Sequence, residues 1–411
     1  MANELQIDGD RLWKSLMDMA QIGATDKGGV CRLALTDVDK AARDLFVQWC
    51  EEAGCVVTVD RMGNIFGRRE GKNPDLPPVM TGSHIDSQPT GGKFDGILGV
   101  LAGLEVIRTL NDAGAETEAA VEVSAWTNEE GSRFAPAMVS SGVFAGVFSL
   151  DYGLSRADLD GKTMGEELER IGYAGELPVG KPVKAFFELH IEQGPILEHE
   201  NKTIGVVTDA QGQRWYECTF VGQEAHAGPT PMATRRDAMV GAARVIEAVN
   251  RIGLENAPLA CATVGLVEVF PNSRNTIPGR VFFAIDLRHP NDETLSKMDQ
   301  EIRAVVAKVG EGIGLETKFE EIWYSPPVPF DADCVAAVRR AATELGFPHR
   351  DIVSGAGHDA CYISRVAPTS MVFIPCEGGI SHNEVEMTQP EQVTAGCQVL
   401  LQAMVERANA S

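Results

Sequence analysis

The sequence predicts an α/β protein: a doubly wound, mainly parallel sheet in a larger domain, interrupted by an inserted ferredoxin-like α+β domain. Two observations carry this. Across residues 1–212, and again across 327–411, short β-rich runs alternate with apolar stretches at helical spacing, the rhythm of a sheet covered on both faces. Between them, residues 213–326 read in the order β-α-β-β-α-β, which is a ferredoxin-like unit. A chain of 411 residues also exceeds the usual size of a single hydrophobic core.

Each element follows from local pattern. Gly54–Val59 and Asn64–Gly67 read as a strand pair, and Pro78–Ser83 as a buried strand running into a loop. Gly96–Leu110 carries apolar residues at helical spacing after a Gly-rich turn, and Asp95 is placed to cap that helix. Ala119–Thr127 is a β-rich run ending at a glutamate pair. In the insert, strands are expected at Trp215–Gly222, Ala262–Val269, the alternating Arg280–Leu287, and Leu315–Trp323. Helices are expected at Arg236–Arg251 and Asn291–Val309. The proline-rich Ser325–Phe330 reads as the linker back to the first domain.

Composition narrows the function. A net charge of −23, from 36 basic and 59 acidic residues, argues against nucleic acid or an anionic membrane as partner. An anionic ligand would need a dedicated local cation. Nine cysteines without a C-x-x-C pair suit free thiols in a reducing compartment. The acidic N-terminal stretch lacks an apolar core, so no signal peptide is expected, and the longest apolar stretch, Ile97–Ile107, contains Glu105. A cytoplasmic location is the expectation.

Four short stretches, far apart in the chain, carry side chains that bind metals. T-G-S-H-I-D-S-Q-P-T-G-G-K-F-D-G holds His84, Asp86 and Asp95; T-N-E-E-G holds Glu129 and Glu130; E-L-H-I-E-Q-G holds His190; G-I-S-H-N-E holds His382. Three imidazoles, a carboxylate able to bridge and a further carboxylate make the ligand set of a two-metal hydrolytic site. The second glutamate is available as general base. Asp86, two residues beyond His84, is expected to accept a hydrogen bond from the non-ligating nitrogen of that ring. Each residue also has a bland reading: a loop histidine, a surface acidic turn, or, for His190 in its apolar run, a core histidine. The joint set outweighs these because separate motifs complete one coordination chemistry.

These motifs, with N-E-E-G-S-R-F, H-A-G-P-T-P-M, R-R-D-A, N-T-I-P-G, D-L-R-H-P and S-G-A-G-H-D-A, resemble a known family from about Met62 to the C-terminus. It is the carbamoylase branch of the dinuclear zinc aminoacylase and peptidase superfamily: N-carbamoyl-L-amino acid hydrolases, β-ureidopropionases and allantoate amidohydrolases. The resemblance implies two divalent ions per subunit, with zinc expected and manganese, cobalt or nickel as alternatives. It implies that His84 and His190 hold one ion, Glu130 and His382 the other, that Asp95 bridges, and that Glu129 is the general base with Asp86 as orienter. It makes residues 1–212 and 327–411 the catalytic metal-binding domain and 213–326 a lid and dimerisation domain, hence a homodimer.

The resemblance also implies substrate contacts. His226 would stabilise the tetrahedral oxyanion, in its own or the partner's site. Asn275 and Gln193 would contact the substrate, Gln193 through its ureido group. Gly357, His358 and Gly378 would frame the substrate's other end. Arg288 is either the surface partner of Asp286, two residues away on a strand, or the cation that grips a substrate carboxylate; the resemblance favours the latter. The implied substrate is a small ureido compound with a carboxylate. An N-carbamoyl-L-amino acid or N-carbamoyl-β-alanine is favoured, with allantoate as runner-up. A plain aminoacylase or dipeptidase is disfavoured by His190 and Gln193, and a non-enzymatic binding module by the completeness of the set.

Overall fold

The computed structural model describes residues 5–410. The chain divides into two compact units, one reaching Thr208 and resuming at Pro329, the other Asp209–Val328. The first unit and its borders hold β1 (Val56–Val59), β2 (Ile65–Arg69), β3 (Val79–His84), β4 (Val121–Trp126), β5 (Ala185–Ile191) and β6 (Ile204–Ala210). The second holds β7 (Gly212–Val221), β8 (Ala225–His226), β9 (Cys261–Phe270), β10 (Thr276–Ile277), β11 (Arg280–His289) and β12 (Glu316–Ser325). The chain then forms β13 (Val328–Pro329), β14 (His349–Ser354) and β15 (Thr369–Ile374).

A nine-stranded mixed sheet runs β1-β2-β4-β3-β5-β15-β6-β13, with β14 paired to β6. Its centre, β4-β3-β5-β15, is parallel, whereas β1, β2 and β6 join it antiparallel. Every residue of those four central strands is buried. Continuous burial is the signature of a parallel sheet covered on both faces. Ser325–Phe330 is more than the linker expected, since it contains β13, which closes the sheet edge beside β6. Its prolines kept it from reading as a strand, and an edge is where a strand tolerates them.

The helix Ile97–Asp112 sets the site's position. It lies against β3, β4 and β5 and is buried on almost every side. Its close approach depends on two glycines. A Cβ at Gly99 would come within 2.6 Å of the Leu189 carbonyl, and one at Gly103 within 2.6 Å of Val123 and 2.7 Å of Thr81 side chains. Glu105, buried in this helix, takes a two-pronged salt bridge from Arg11 (2.8 and 2.7 Å), which ties the N-terminal helix Gly9–Met19 to it. Asp95 does not cap the helix as expected: the cap position is Gly96, with no side-chain bond, and the Asp95 carboxylate points elsewhere.

The second unit is a four-stranded antiparallel sheet in the order β12-β7-β11-β9, with helices Ala238–Glu255 and Asp292–Ile313. Strict alternation along β11 buries Val281, Phe283, Ile285 and Leu287. These join Tyr216, Cys218 and Phe220 of β7 and the apolar faces of both helices in one core. Strands β8 and β10 form a separate two-stranded ribbon. Among the described residues, no helix is long and apolar enough to cross a membrane.

Because Gly103 has no room for a side chain, Gly103→Val should overpack the helix–sheet contact. Urea unfolding should show a loss of about 1–3 kcal/mol.

Candidate metal centre

The candidate ligands come from the carboxyl ends of the four central parallel strands, where open α/β sheets place their sites. His84 is the last residue of β3, and the loop leaving it carries Asp95. Glu129 and Glu130 follow β4, His190 is the penultimate residue of β5, and His382 lies in the loop after β15. Gly96 lets Asp95 turn under the His84 ring: its φ is +67°, and any Cβ there would overlap that ring. Three non-glycine residues at the site also have left-handed backbones, Asn128 (φ 59°), Gln193 (57°) and His382 (52°). Such conformations cost energy and concentrate at functional sites.

The two oxygens of Asp95 face different partners. Oδ1 lies 3.5 Å from His84 Nε2 and 3.2 Å from His190 Nε2. Oδ2 lies 3.4 Å from His382 Nε2, which is itself 3.3 Å from Glu130 Oε2. Donors about 2.1 Å from one ion at tetrahedral angles lie about 3.4 Å apart, which is the spacing seen here. His84, Asp95 and His190 thus form one candidate metal-binding group, and Asp95, Glu130 and His382 a second. Glu129 Oε2 stands 3.5 Å from His84 Nε2, beside the first group.

The imidazole tautomers suit this role. Nδ1 of His84 bonds the Asp86 main-chain carbonyl at 2.8 Å, and Nδ1 of His190 bonds the Ile191 carbonyl at 2.9 Å. Carbonyls only accept, so each ring, when neutral, keeps its proton on Nδ1 and turns an unprotonated Nε2 toward Asp95, that of His190 also accepting from the Gly96 amide at 3.2 Å. The expected bond between the Asp86 carboxylate and His84 is therefore corrected: the main-chain oxygen makes it. The Asp86 carboxylate instead accepts the Glu129 and Glu130 amides (3.2 and 3.3 Å), fixing the turn that presents both glutamates.

Several supporting residues escaped the sequence reading. Glu386, two residues beyond the quoted G-I-S-H-N-E, accepts the amides of Phe94 and Asp95 at 3.0 Å and the Ser381 hydroxyl at 2.8 Å. It ties the Asp95 loop to the His382 loop. Ser381 Oγ also lies 3.1 Å from Asp95 Oδ2, within reach of the same hydroxyl proton, and Gln88 donates to Glu130 (2.7 Å). Glu188, in the same strand as His190, accepts from Ser83 (2.6 Å) and the Ala360 amide (3.0 Å). Glu188, His190 and His358 form a third candidate group, but these bonds engage Glu188, and His358 Nε2 is 3.0 Å from Ser354 Oγ. Burial holds His358 well below the usual imidazole range, and its ring packs edge-on to His190 at 4.6 Å.

The charges of the cluster do not balance by themselves. Burial drives Glu129 well above the usual carboxylate range, against His84 and with Asp359 and Glu130 adding to the rise. Burial likewise pushes Glu130 up to about 8, reinforced by Asp95. Against its own burial, Asp95 is held well below its usual range by His190 and His84, whose rings are raised in turn, against their burial, by Glu129 and Asp95, so that with no ion present protons on those rings stand where cations would. Buried carboxylates gathered around bare imidazole nitrogens call for cations, so the donor set fits divalent metal ions.

Gln193 donates its amide nitrogen to Asp95 Oδ2 (3.0 Å) and Ser381 (3.2 Å), and its buried Oε1 has no hydrogen-bond partner. Gly357 packs against Met138, and the Gly378 amide is engaged by Glu198 at 2.8 Å. His226, Asn275 and Arg288 belong to the second unit. There His226 and Asn275 are joined through the β8–β10 ribbon, and Arg288 pairs with Asp286 at 2.7 Å.

Comparison with known proteins adds four findings. Residues 80–406 match the family described as Peptidase family M20/M25/M40. The chain is 51% identical over 404 residues to an N-carbamoyl-L-amino-acid amidohydrolase of Rhizobium meliloti, covering 98% of this chain and 97% of that one. It is 35% identical to an allantoate amidohydrolase of Bacillus subtilis, covering 93% of each. Among solved structures, an amidase of the hydantoinase/carbamoylase family from Burkholderia multivorans superposes with a TM-score of 0.96 at 69% identity, covering 99% of both chains.

The split of Asp95 between two donor groups predicts unequal effects on metal content. After reconstitution and desalting, Asp95→Ala should lose both ions and His382→Ala one, as read by elemental analysis. Equal retention in both variants would contradict the geometry.

Proposed function

Because the chain belongs to the peptidase family M20/M25/M40 and is a hydrolase of linear amide C–N bonds, we propose that it is a two-metal carbamoylase acting on N-carbamoyl amino acids. Its substrate is an N-carbamoyl-L-amino acid or N-carbamoyl-β-alanine, and its products are the amino acid, ammonia and CO₂. The observation that carries the hydrolytic chemistry is the Asp95 carboxylate, one oxygen toward His84 and His190 and the other toward His382, with Glu129 alongside. The choice of substrate is supported by the 51% identical relative.

Divalent ions held there, zinc by preference, supply Lewis acidity to a carbonyl oxygen and to a water molecule. The protein's own groups do the rest. Glu129, its backbone anchored on Asp86, takes the proton of the attacking water and passes it to the departing nitrogen. The orphaned Oε1 of Gln193 accepts a ureido N–H, which would otherwise be the cost of burying that amide. His226 donates to the developing oxyanion, Asn275 contacts the substrate, and Arg288 exchanges Asp286 for the substrate carboxylate. His358 steadies His190 from behind, while Gly357 and Gly378 border the far end of the substrate.

The second unit is proposed as lid and dimerisation module. Strand β9 is an edge of its sheet, ten residues long, and exposes Leu266, Val267 and Phe270. Glu268 is the one charge on this otherwise apolar or neutral strand, and such an exposed edge is a template for pairing, here with the same strand of a second copy. Sedimentation should show a dimer that Leu266→Lys with Val267→Lys converts to monomer; a dimer that survives the double change would place the interface elsewhere.

The activity test is ammonia release by metal-loaded protein from N-carbamoyl-L-amino acids, N-carbamoyl-β-alanine and allantoate. A carbamoyl substrate should turn over, and Glu129→Gln should lower kcat by about 10²-fold or more. Turnover of allantoate alone would favour the second reading, which the Bacillus subtilis relative supports.

A further inference from the structure

The stretch H-A-G-P-T-P-M-A-T-R-R-D-A leaves residues after His226 that the chemistry above does not use. Asp237 caps the helix Ala238–Glu255, accepting the amides of Met239 and Val240, and so fixes where the preceding residues leave it. Arg236 anchors the turn through its carbonyl, which accepts from the Gln223 amide. Arg235 points into the His226 loop. Its Nη2 donates to the Ala227 carbonyl at 2.7 Å and the Thr230 carbonyl at 3.0 Å, and its Nε donates to Thr230 again at 3.1 Å.

The Ala227 carbonyl and the Gly228 amide are two ends of one peptide unit. At the far end, Gly228 N–H donates to Nδ1 of His226 at 3.0 Å. A ring nitrogen that accepts an N–H carries a lone pair, so the neutral imidazole must hold its proton on Nε2. That is the form able to donate to an oxyanion. The flanking Ala227 amide is tied to the Asn275 carbonyl at 2.8 Å. Rotation of the 227–228 peptide would turn its carbonyl toward Nδ1, draw the proton there and leave Nε2 an acceptor. A glycine on one side of the bond makes such rotation cheap.

We propose that Arg235 is a positioning residue: by gripping the Ala227 carbonyl, it locks the Ala227–Gly228 peptide so that His226 presents Nε2–H. This rests on the reading of His226 as oxyanion donor. The planar guanidinium reaches both carbonyls with a fixed fork, which the single ammonium of a lysine reproduces only in part.

The experiment uses full-length, metal-loaded enzyme with ¹⁵N-labelled histidine, comparing wild type with Arg235→Met, Arg235→Lys, His226→Ala and the Arg235→Met/His226→Ala double variant. The wild-type His226 ring should report Nε2–H, and Arg235→Met a mixture of tautomers. In kinetics, Arg235→Met should lower kcat about tenfold with KM nearly unchanged, Arg235→Lys should recover part of this, and in the His226→Ala background the change should cost nothing further. An unaltered tautomer in Arg235→Met overturns the proposal, as does a kcat loss that adds in full to that of His226→Ala. If His226→Ala itself keeps wild-type kcat, the oxyanion reading fails instead, and the tautomer spectra alone decide whether Arg235 holds the ring.

Discussion

The site depends on one carboxylate shared between two sets of donors. Asp95 can serve both only if its loop is held at both ends, and much of the surrounding structure does that. Helix Ile97–Asp112 comes close to the sheet through Gly99 and Gly103, which brings Gly96 beneath the His84 ring. Glu386 grips the Asp95 amide from the His382 loop, while Ser381 and Gln193 hold Oδ2. The His84 and His190 rings are held from behind by main-chain carbonyls, which in the neutral rings leaves Nε2 unprotonated on both. Hydrogen bonds to the main chain thus orient His84, His190 and the Asp95 loop.

Much of the fold was legible because its signals are local. Alternation along Arg280–Leu287 and the apolar run at Gly96–Leu110 state their element type directly, and the metal motifs fall where strands end. The edges were harder. β6 and β13 pair at the sheet border, yet Ser325–Phe330 reads as a linker. Proline in an edge strand costs little, so composition there does not report pairing.

The candidate ligands were legible as residue types, because three imidazoles and adjacent glutamates stand out in their motifs, and the structure brings them together. Their supports were not. Whether Asp86 meets His84 through its carboxylate or its main chain depends on a turn that no spacing rule describes. Glu386 acts across 291 residues of chain on the Asp95 amide, a distance at which sequence pattern carries no information. Gln193 was found for its expected contact with substrate, while its amide nitrogen turns out to be bound to Asp95. Arg235 stood only within the quoted R-R-D-A, where spacing does not separate it from Arg236; the bonds to the Ala227 and Thr230 carbonyls do.

Anomalous diffraction from crystals of the zinc-loaded protein tests the central claim most directly. Two peaks about 3.5 Å apart, one on each side of the Asp95 carboxylate, are the expected result. A single peak, or one centred among Glu188, His190 and His358, would contradict the account.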